Sequence, residues 1–177
     1  YIVLVGAYSL YIKRIPFIEA VFLTLVYLLR IYIGVLVIDY LSMSRWMMIF
    51  SFFFFFFLIL VKRHTELLLY VESLEDDPTG RGYKIGNINL TQLLTVVSAL
   101  ISLVVLGLYV SSPKVLALYT SPTYLWAVVL SCFLWCVNVI VCVHKGTMHN
   151  DPIVFAFTNK ISVVLFFISI IFIVLSL

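Results

Sequence analysis

Long apolar segments separated by shorter polar breaks run through this chain from one end to the other. The six apolar segments are residues 1–12, 15–41, 46–61, 91–111, 123–143 and 161–177. A helix of about 20 apolar residues is long enough to cross the hydrocarbon core of a bilayer. Hydrophobic residues make up 64% of the chain and charged residues 11%, whereas soluble domains are about 45–50% apolar. The sequence therefore predicts an all-α integral membrane protein, a polytopic helical bundle.

The first and third segments need separate interpretations. Residues 1–12 are too few for a complete span, so we interpret them as a shortened helix of a single transmembrane domain, 1–177, that is N-terminally incomplete. Six consecutive phenylalanines, 52–57, show neither a helical nor a strand period, which suits a helix with apolar surroundings on all sides. Strands of a membrane barrel would alternate over about 10 residues, and the sequence has no such alternation.

Five polar breaks separate the segments, and their charges predict an orientation. The breaks are residues 13–14, 42–45, 62–90, 112–122 and 144–160. The first, third and fifth breaks hold eight of the eleven Lys and Arg residues, and the second and fourth hold two. Because positively charged loops stay in the cytoplasm, we expect 62–90 and 144–160 to be cytoplasmic loops of a multi-pass protein of the cell inner membrane, with the C-terminus on the opposite side. Basic residues this dispersed do not predict nucleic-acid binding.

The third break is the longest polar stretch, and it holds five of the eight acidic residues. Lys62 and Glu66 stand four residues apart. On a helix they form either a weak surface pair or a cation that meets an anionic substrate, beside a carboxylate for metal binding or proton transfer. In GRGY, residues 80–83, Arg81 lies between two glycines that allow a tight turn. Arg81 either grips a phosphate with two hydrogen bonds or belongs to an ordinary turn.

Two charged residues inside the second apolar segment are expected to avoid lipid. An Arg at the centre of a membrane helix costs about 2.5–3.5 kcal/mol, so Arg30 should face the bundle interior with a partner. Glu19 lies about three helical turns earlier, roughly 16 Å away along the axis and on nearly the same face. The two side chains are too far apart to pair directly. We expect both to line one cavity; the alternative is that Arg30 caps carbonyl groups of a neighbouring helix.

The fifth break contains HKGTMHNDP, in which two histidines and an aspartate suggest a zinc site. His144 and His149 are five residues apart, a spacing that does not place them on one helix face, and no cysteine lies beside them. We therefore do not expect zinc to bind here.

Four motifs, taken in order, resemble a known family. They are YSLYIKRIP at 8–16, LVKRHTEL at 60–67, GRGY at 80–83 and HKGTMHNDPIVFAF at 144–157. They extend over nearly the whole chain, and their order makes the likeness more specific than any single motif. The chain resembles the UbiA-type intramembrane prenyltransferase superfamily, and within it the decaprenyl-phosphate phosphoribosyltransferase branch. The resemblance implies nine transmembrane helices around a cavity that opens sideways to lipid, of which the six segments here would be the last six.

The metal motifs of the family give the resemblance its chemical content. The aspartate-rich motif NDxxDxxxD, which holds magnesium and a diphosphate, belongs before the part of the fold that this chain resembles. The second motif, DxxxD in members with aromatic substrates, would fall within 62–87. This chain has Lys62, Arg63 and Glu66 there, as the phosphoribosyl branch tends to have. Relatives often carry Asp at the positions of Glu19, Asn87 and Asn159.

The resemblance implies transfer of phosphoribosyl from phosphoribosyl diphosphate to a polyprenyl phosphate within the membrane. Mg²⁺ would offset the charge of the diphosphate, and Lys and Arg would hold its remaining oxygens. Glu66 is the predicted catalytic residue, with a metal-binding or hydrogen-bonding role. The predicted substrate-binding residues are Lys13, Arg14, Arg30, Lys62, Arg63, Arg81 and Tyr83.

Two other functions fit the same sequence. One is prenyl transfer to an aromatic acceptor, as in quinone or haem pathways. The other is a transporter half or a non-catalytic, truncated membrane subunit, which the absence of the aspartate-rich motif from these 177 residues supports. We expect the 177 residues alone to be inactive.

Overall fold

The computed structural model describes Tyr8 and residues 11–37, 44–72, 82–148 and 151–177. Throughout these ranges the regular elements are helices, so the predicted all-α helical bundle is confirmed. The helices are α1 Ile18–Val37, α2 Arg45–Glu72, α3 Ile88–Val110, α4 Pro113–Leu118, α5 Leu125–His144, α6 Pro152–Thr158 and α7 Lys160–Ser176. Short 3-10 turns precede α1, α3 and α5 at Ile12–Arg14, Ile85–Asn87 and Pro122–Tyr124.

Within the described residues, four helical stretches are long and apolar enough to cross a membrane. They are Ile18–Val37, Arg45–Val71, Ile85–Val110 and Pro122–His144. The pair α6 and α7 would supply a fifth span if taken together, although the two helices are bent by 80°. These lengths support the predicted membrane protein. Most of the first predicted segment, 1–12, lies outside the described residues.

Two capping residues shape the bent pair α6 and α7. Pro152 occupies the first turn of α6, where its missing N–H is not needed. Asp151 caps the same helix, because its Oδ1 accepts a hydrogen bond from the N–H of Ile153 at 3.0 Å. Asn159 has an extended backbone between the two helices, and its Oδ1 accepts from the N–H of Ser162 at 3.1 Å. The chain therefore ends α6 and begins α7 at one residue.

The buried face of α3 consists largely of small residues. They include Thr91, Thr95, Ser98, Ala99 and Ser102. Their spacing places them on one side of the helix, and small side chains let neighbouring helices approach closely inside a membrane. The hydroxyls donate to carbonyl groups about one turn earlier, as Thr95 does to Thr91 at 2.7 Å and Ser102 to Ala99 at 2.7 Å. These hydroxyl groups are therefore satisfied within α3 itself.

The central helix is α2, which contacts α1, α3, α5 and α6. A cluster of buried apolar residues joins Phe57 and Val61 of α2 to Ala99 of α3, Val139 of α5 and Phe155 of α6. The side chains of this cluster bury one another. Helix α2 therefore connects α3, α5 and α6 through shared apolar contacts.

Contacts near the helix ends show which breaks of the chain meet. Gly82 packs against the backbone of Arg14, and Lys62 contacts Asp151. The first, third and fifth breaks therefore meet at one end of the bundle. We call this end the polar end, and it consists of residues 11–17, 62–72, 82–92, 144–148 and Asp151.

The C-terminus lies at the opposite end of the bundle. The N–H of Ser121 donates to the carbonyl oxygen of Ser176 at 3.2 Å, which joins the start of α5 to the end of α7. Ser176 therefore lies at the end of the bundle opposite the polar end, and the predicted membrane topology stays a prediction. The assignment of the polar end to the cytoplasm stays a prediction.

The polar break expected to begin at residue 62 begins later in the structure. Helix α2 continues to Glu72, which is about three further turns, and residues 73–81 lie outside the described ranges. The polar residues Arg63, His64 and Thr65 are buried. Polar composition suggested a loop, but neighbouring helices cover these side chains. The break expected at 144–160 likewise contains the helix α6.

Candidate functional site

Three charged residues form a cluster, two of them buried, where α1 and α2 meet at the polar end. Nη2 of Arg63 donates to Oε1 of Glu19 at 2.7 Å, and Nη1 of Arg63 donates to Oε2 of Glu66 at 2.6 Å. The side chain of Glu19 is 0% exposed and that of Arg63 is 5% exposed. The hydroxyl of Tyr8 also donates to Oε1 of Glu19, at 2.7 Å. We call Glu19, Arg63 and Glu66 the charged cluster.

The backbone before α1 directs Glu19 into this cluster. Phe17 follows Pro16 and has a φ of 64°, in the left-handed region that bulky residues rarely adopt. The bend leads directly into α1, whose buried residues are Glu19, Ala20 and Thr24. Ala20 packs with Leu60 of α2. Its small side chain brings the two helices close enough for Glu19 to reach Arg63.

The charged cluster places two carboxylates around one buried guanidinium: Glu19 is buried with Arg63, whereas the side chain of Glu66 is 35% exposed. Removing one partner from such a buried pair costs about 3–5 kcal/mol, because the other charge is left unpaired. Within the described residues, Oε2 of Glu19 and Nε of Arg63 have no hydrogen-bond partner. Buried polar atoms are usually satisfied. The cluster therefore offers one acceptor and one donor to a further polar group, such as a water molecule.

Lys62 does not pair with Glu66, although the two are four residues apart on α2. Nζ of Lys62 contacts Oδ2 of Asp151 at 2.5 Å, and Glu66 is paired with Arg63 instead. The reason is that the buried guanidinium of Arg63 needs compensating charge more than the half-exposed ammonium of Lys62 does. Lys62 is thereby left to bind the carboxylate at the start of α6.

The carboxylate of Asp151 makes two different hydrogen bonds. Oδ2 accepts from Lys62 and Oδ1 accepts from the N–H of Ile153. Partial burial acts to raise the pKa of Asp151, but the hydrogen bonds from Lys62 and Ile153 and the positive charge of Lys62 outweigh it. The pKa of Asp151 therefore lies below its ordinary value, and the carboxylate is charged at neutral pH.

Arg30 lies apart from the charged cluster. Its side chain is exposed in the described structure, and its guanidinium carbon lies 5.5 Å from the centroid of the Tyr27 ring, within the range of a cation–π contact. Within the described residues, the side chain of Glu19 is buried whereas that of Arg30 is exposed, so the two side chains have different surroundings. Glu19 instead turns toward α2 and pairs with Arg63.

Tyr83 is a buried packing residue at the polar end. It is 3% exposed, and its hydroxyl accepts a hydrogen bond from the N–H of Phe17 at 2.9 Å. The two rings also meet edge to face, with centroids 5.4 Å apart. Next to it, a Cβ added to Gly82 would lie 2.0 Å from the carbonyl oxygen of Arg14. Gly82 and Tyr83 therefore pack against the backbone from Arg14 to Phe17 and fix its position. Arg81, the other predicted binding residue of this motif, lies outside the described residues.

The predicted phosphate contacts differ in their accessibility. Lys13 and Arg14 end the 3-10 turn Ile12–Arg14; Arg14 is exposed and Lys13 is half-buried. The side chain of Lys62 is 42% exposed. Arg63 is buried, and both of its terminal nitrogens bind carboxylates. Among these four, Lys13, Arg14 and Lys62 can meet a soluble anion, whereas Arg63 can act on one only through its neighbours.

Two histidines face each other at the polar end, and the sequence patterns did not bring them together. The rings of His64 and His144 have centroids 6.0 Å apart and line a small cavity of about 10 Å³ with Gln92, enough for one water molecule. The hydroxyl of Thr91 donates to a carbonyl, so Nδ1 of His64 must be its donor partner at 3.1 Å. Nδ1 of His144 lies 2.8 Å from the carbonyl oxygen of Ile140 and donates to it, so Nε2 of His144 accepts from the Gln92 amide at 2.8 Å. Both imidazoles therefore donate a hydrogen bond through Nδ1.

Asn159 and Asn87 occupy helix starts. Asn159 caps α7, and its Oδ1 also accepts a hydrogen bond from the amide of Asn138 at 3.2 Å. Asn87 precedes α3 without a side-chain capping bond. The amide of Asn159 thus ties α5 to α7, which is a structural use of the side chain.

The described residues do not assemble a metal site. In the ranges that the structure covers, no group of three or more His, Cys, Asp and Glu side chains is placed to hold a metal ion. Oε2 of Glu66, the predicted metal ligand, is bound by Arg63. His149 lies outside these ranges. The described side chains therefore do not by themselves fit Mg²⁺.

The chain is similar to one long bacterial protein. It is 34% identical over 163 residues to a Sinorhizobium fredii (strain NBRC 101917 / NGR234) protein named "Uncharacterized protein y4nM". The alignment covers 92% of this chain and 31% of that relative, so the chain spans about a third of the length of the curated relative it matches. No protein-family model matches the chain, and no solved structure matches it.

Proposed function

We propose that this chain is part of a membrane-embedded transferase of the UbiA type, which transfers phosphoribosyl from phosphoribosyl diphosphate to a polyprenyl phosphate. The observation that carries the proposal is the polar end of an apolar helical bundle. There, Lys13, Arg14 and Lys62 are accessible, and the same end of the bundle holds the buried pair of Glu19 and Arg63. A lipid substrate needs apolar helices beside its tail, and a diphosphate needs cations at the membrane surface.

The proposed reaction is a displacement at the anomeric carbon of the ribose. A phosphate oxygen of the lipid forms a new C–O bond to that carbon, and the C–O bond to diphosphate breaks. The diphosphate leaves with the bonding electrons, so charge accumulates on its oxygens. Cations fixed near those oxygens lower the barrier because they stabilise this developing charge.

The residues at the polar end suggest distinct roles in that reaction. Lys62, Lys13 and Arg14 are proposed to contact phosphate oxygens directly. Arg63 is buried between two carboxylates, so we propose that it positions Glu66 rather than binding the donor. The side chain of Glu66 is 35% exposed, and we propose that it contacts the ribose of the donor.

In this proposal Mg²⁺ is bound to the diphosphate of the donor and not to the described side chains. When bound to a diphosphate, the ion offsets negative charge on the leaving group. Because the described side chains do not form a magnesium site, no step here is assigned to protein-bound metal. We propose that the protein acts in the cell inner membrane, with the polar end facing the cytoplasm that supplies the soluble donor.

The test is a transfer assay with the full-length protein in membrane vesicles. Labelled phosphoribosyl diphosphate and a polyprenyl phosphate should yield a labelled lipid. Lys62→Ala should reduce this rate at least tenfold, because an accessible phosphate contact is lost. Lys114→Ala removes an exposed lysine from the opposite end and should leave the rate unchanged. Equal rates in both variants would refute the assignment of Lys62.

The same preparation separates the other two functions. Transfer from a prenyl diphosphate to an aromatic acid, without labelled lipid from the ribosyl donor, would favour the aromatic reaction. No product from either donor in a folded full-length protein would favour a non-catalytic membrane subunit.

A further inference from the structure

The ion pair of Lys62 and Asp151 differs from every contact in the charged cluster. It joins α2 to the start of α6, with side chains 42% and 36% exposed, and the partners are 89 residues apart in the sequence. The other oxygen of Asp151 caps α6 through Ile153. The carboxylate of Asp151 therefore caps α6 with one oxygen and binds the accessible ammonium of Lys62 with the other.

This pair can open without releasing α6. Pro152 and Phe155 of α6 are buried, and Phe155 packs into the apolar cluster with Phe57 and Val61. The capping bond from Ile153 does not involve Lys62. Exposed ion pairs contribute little to stability, so Lys62 can exchange its partner at small cost. Arg63 cannot, because its guanidinium is buried.

We infer that the Asp151 carboxylate is a built-in competitor that occupies Lys62 until a phosphate-bearing ligand displaces it. The inference rests on the proposed function, since it takes Lys62 as a contact for a diphosphate. A tethered carboxylate has a high effective concentration at Lys62. The apparent affinity for an anion is reduced by the fraction of molecules in which Lys62 is already occupied. A ligand with several negative charges outcompetes one carboxylate, and Asp151 then keeps its capping bond.

The inference predicts that a substitution beside Lys62 increases the affinity for an anion instead of decreasing it. Asp151→Asn removes the negative charge and retains a good capping side chain. If Asp151 competes with the ligand, the variant binds inorganic diphosphate more tightly, by roughly two- to fivefold for an exposed pair. If Asp151 instead orients Lys62 for the ligand, the variant binds more weakly.

The experiment measures the Kd for inorganic diphosphate, with full-length protein in nanodiscs, for four proteins. They are the wild type, Asp151→Asn, Lys62→Gln and the double variant. We expect Asp151→Asn to tighten binding, Lys62→Gln to weaken it, and the effect of Asp151→Asn to disappear in the Lys62→Gln background. An equal tightening in that background would show a general charge effect and overturn the inference. Unchanged or weaker binding by Asp151→Asn, or no diphosphate binding by the wild type, would also overturn it.

A parallel transfer assay distinguishes this inference from the proposed function. Tighter diphosphate binding by Asp151→Asn without any phosphoribosyl transfer in the wild type would retain the competitor and reject the proposed reaction. Transfer in the wild type with an unchanged Kd in Asp151→Asn would retain the reaction and reject the competitor.

Discussion

Replacing Gly82 by alanine tests whether close packing of Gly82 fixes the position of the turn Ile12–Arg14, which carries Lys13 and Arg14. The added Cβ would lie 2.0 Å from the carbonyl oxygen of Arg14, 2.7 Å from its carbonyl carbon and 2.7 Å from Cδ of Pro16. These neighbours are backbone atoms and a ring atom, so no side-chain rotation can relieve the overlap. The two segments must separate by about 1 Å or more to restore ordinary contact distances.

The expected cost has two parts. Overpacking of this kind typically costs about 1–3 kcal/mol. Separation also stretches the hydrogen bond from the N–H of Phe17 to the Tyr83 hydroxyl, now 2.9 Å, and an unsatisfied buried donor costs about 1–3 kcal/mol. We therefore expect Gly82→Ala to destabilise the protein by roughly 2–6 kcal/mol.

Gly86→Ala is the matched control, because a Cβ at Gly86 would meet nothing within 4 Å. Gly86 lies only four residues away, in the turn Ile85–Asn87. The measurement is the free energy of reversible unfolding in mixed micelles, with the melting temperature as a second reading. Gly86→Ala should stay within about 0.5 kcal/mol of the wild type. Equal stability of the two variants would refute the close approach between Gly82 and the backbone of Arg14.

Three further predictions follow from the same structure. Arg63→Met should destabilise the protein by about 3–5 kcal/mol because Glu19 keeps a buried charge; adding Glu19→Gln should recover part of that loss in the same unfolding assay, and strictly additive effects would contradict the pairing. Because the pKa of Asp151 is lowered in the folded state, its ion pair with α2 contributes stability above the ordinary carboxyl pKa of about 4, and this contribution is lost as the pH falls through the lowered pKa. The difference in stability between the wild type and Asp151→Asn should therefore shrink in acid, and a constant difference would contradict the pKa shift. Single cysteines at Lys145 and Lys114 should be labelled by an impermeant reagent from opposite sides of the membrane, with Lys145 on the cytoplasmic side; labelling of both from one side would refute the orientation.

The helices were predictable because a membrane imposes their length and composition. Each apolar segment of about 20 residues must satisfy its backbone internally, and a helix does so without partners. Four of the predicted segments accordingly match helices long enough to span. Composition was a poorer guide to the end of α2, because polarity indicates water only when no other helix covers the side chain. At Arg63 and His64, neighbouring helices do.

The partners within the candidate site were harder to predict, since spacing along one helix suggested the wrong ones. Lys62 and Glu66 are four residues apart, yet each binds a different residue. Lys62 reaches Asp151, 89 residues away, and only the packing of α6 on α2 brings them together. Helical spacing describes neighbours on one helix, whereas a buried charge takes whichever partner best compensates it.

The pairing of Glu19 with Arg63 nevertheless has a signal in the sequence. The two residues are 44 positions apart, so the midpoint between them is residue 41, in the stretch that connects α1 to α2. In an antiparallel helical hairpin, residues equally distant from the connection lie at the same depth, because both helices rise by about 1.5 Å per residue. A buried acid near one end of the first helix should therefore meet a base at the mirrored position of the second, and Arg30, on the same helix as Glu19, cannot occupy that position. Depth matching of this kind fails for Lys62 and Asp151, since their helices are not consecutive and no hairpin fixes their relative height.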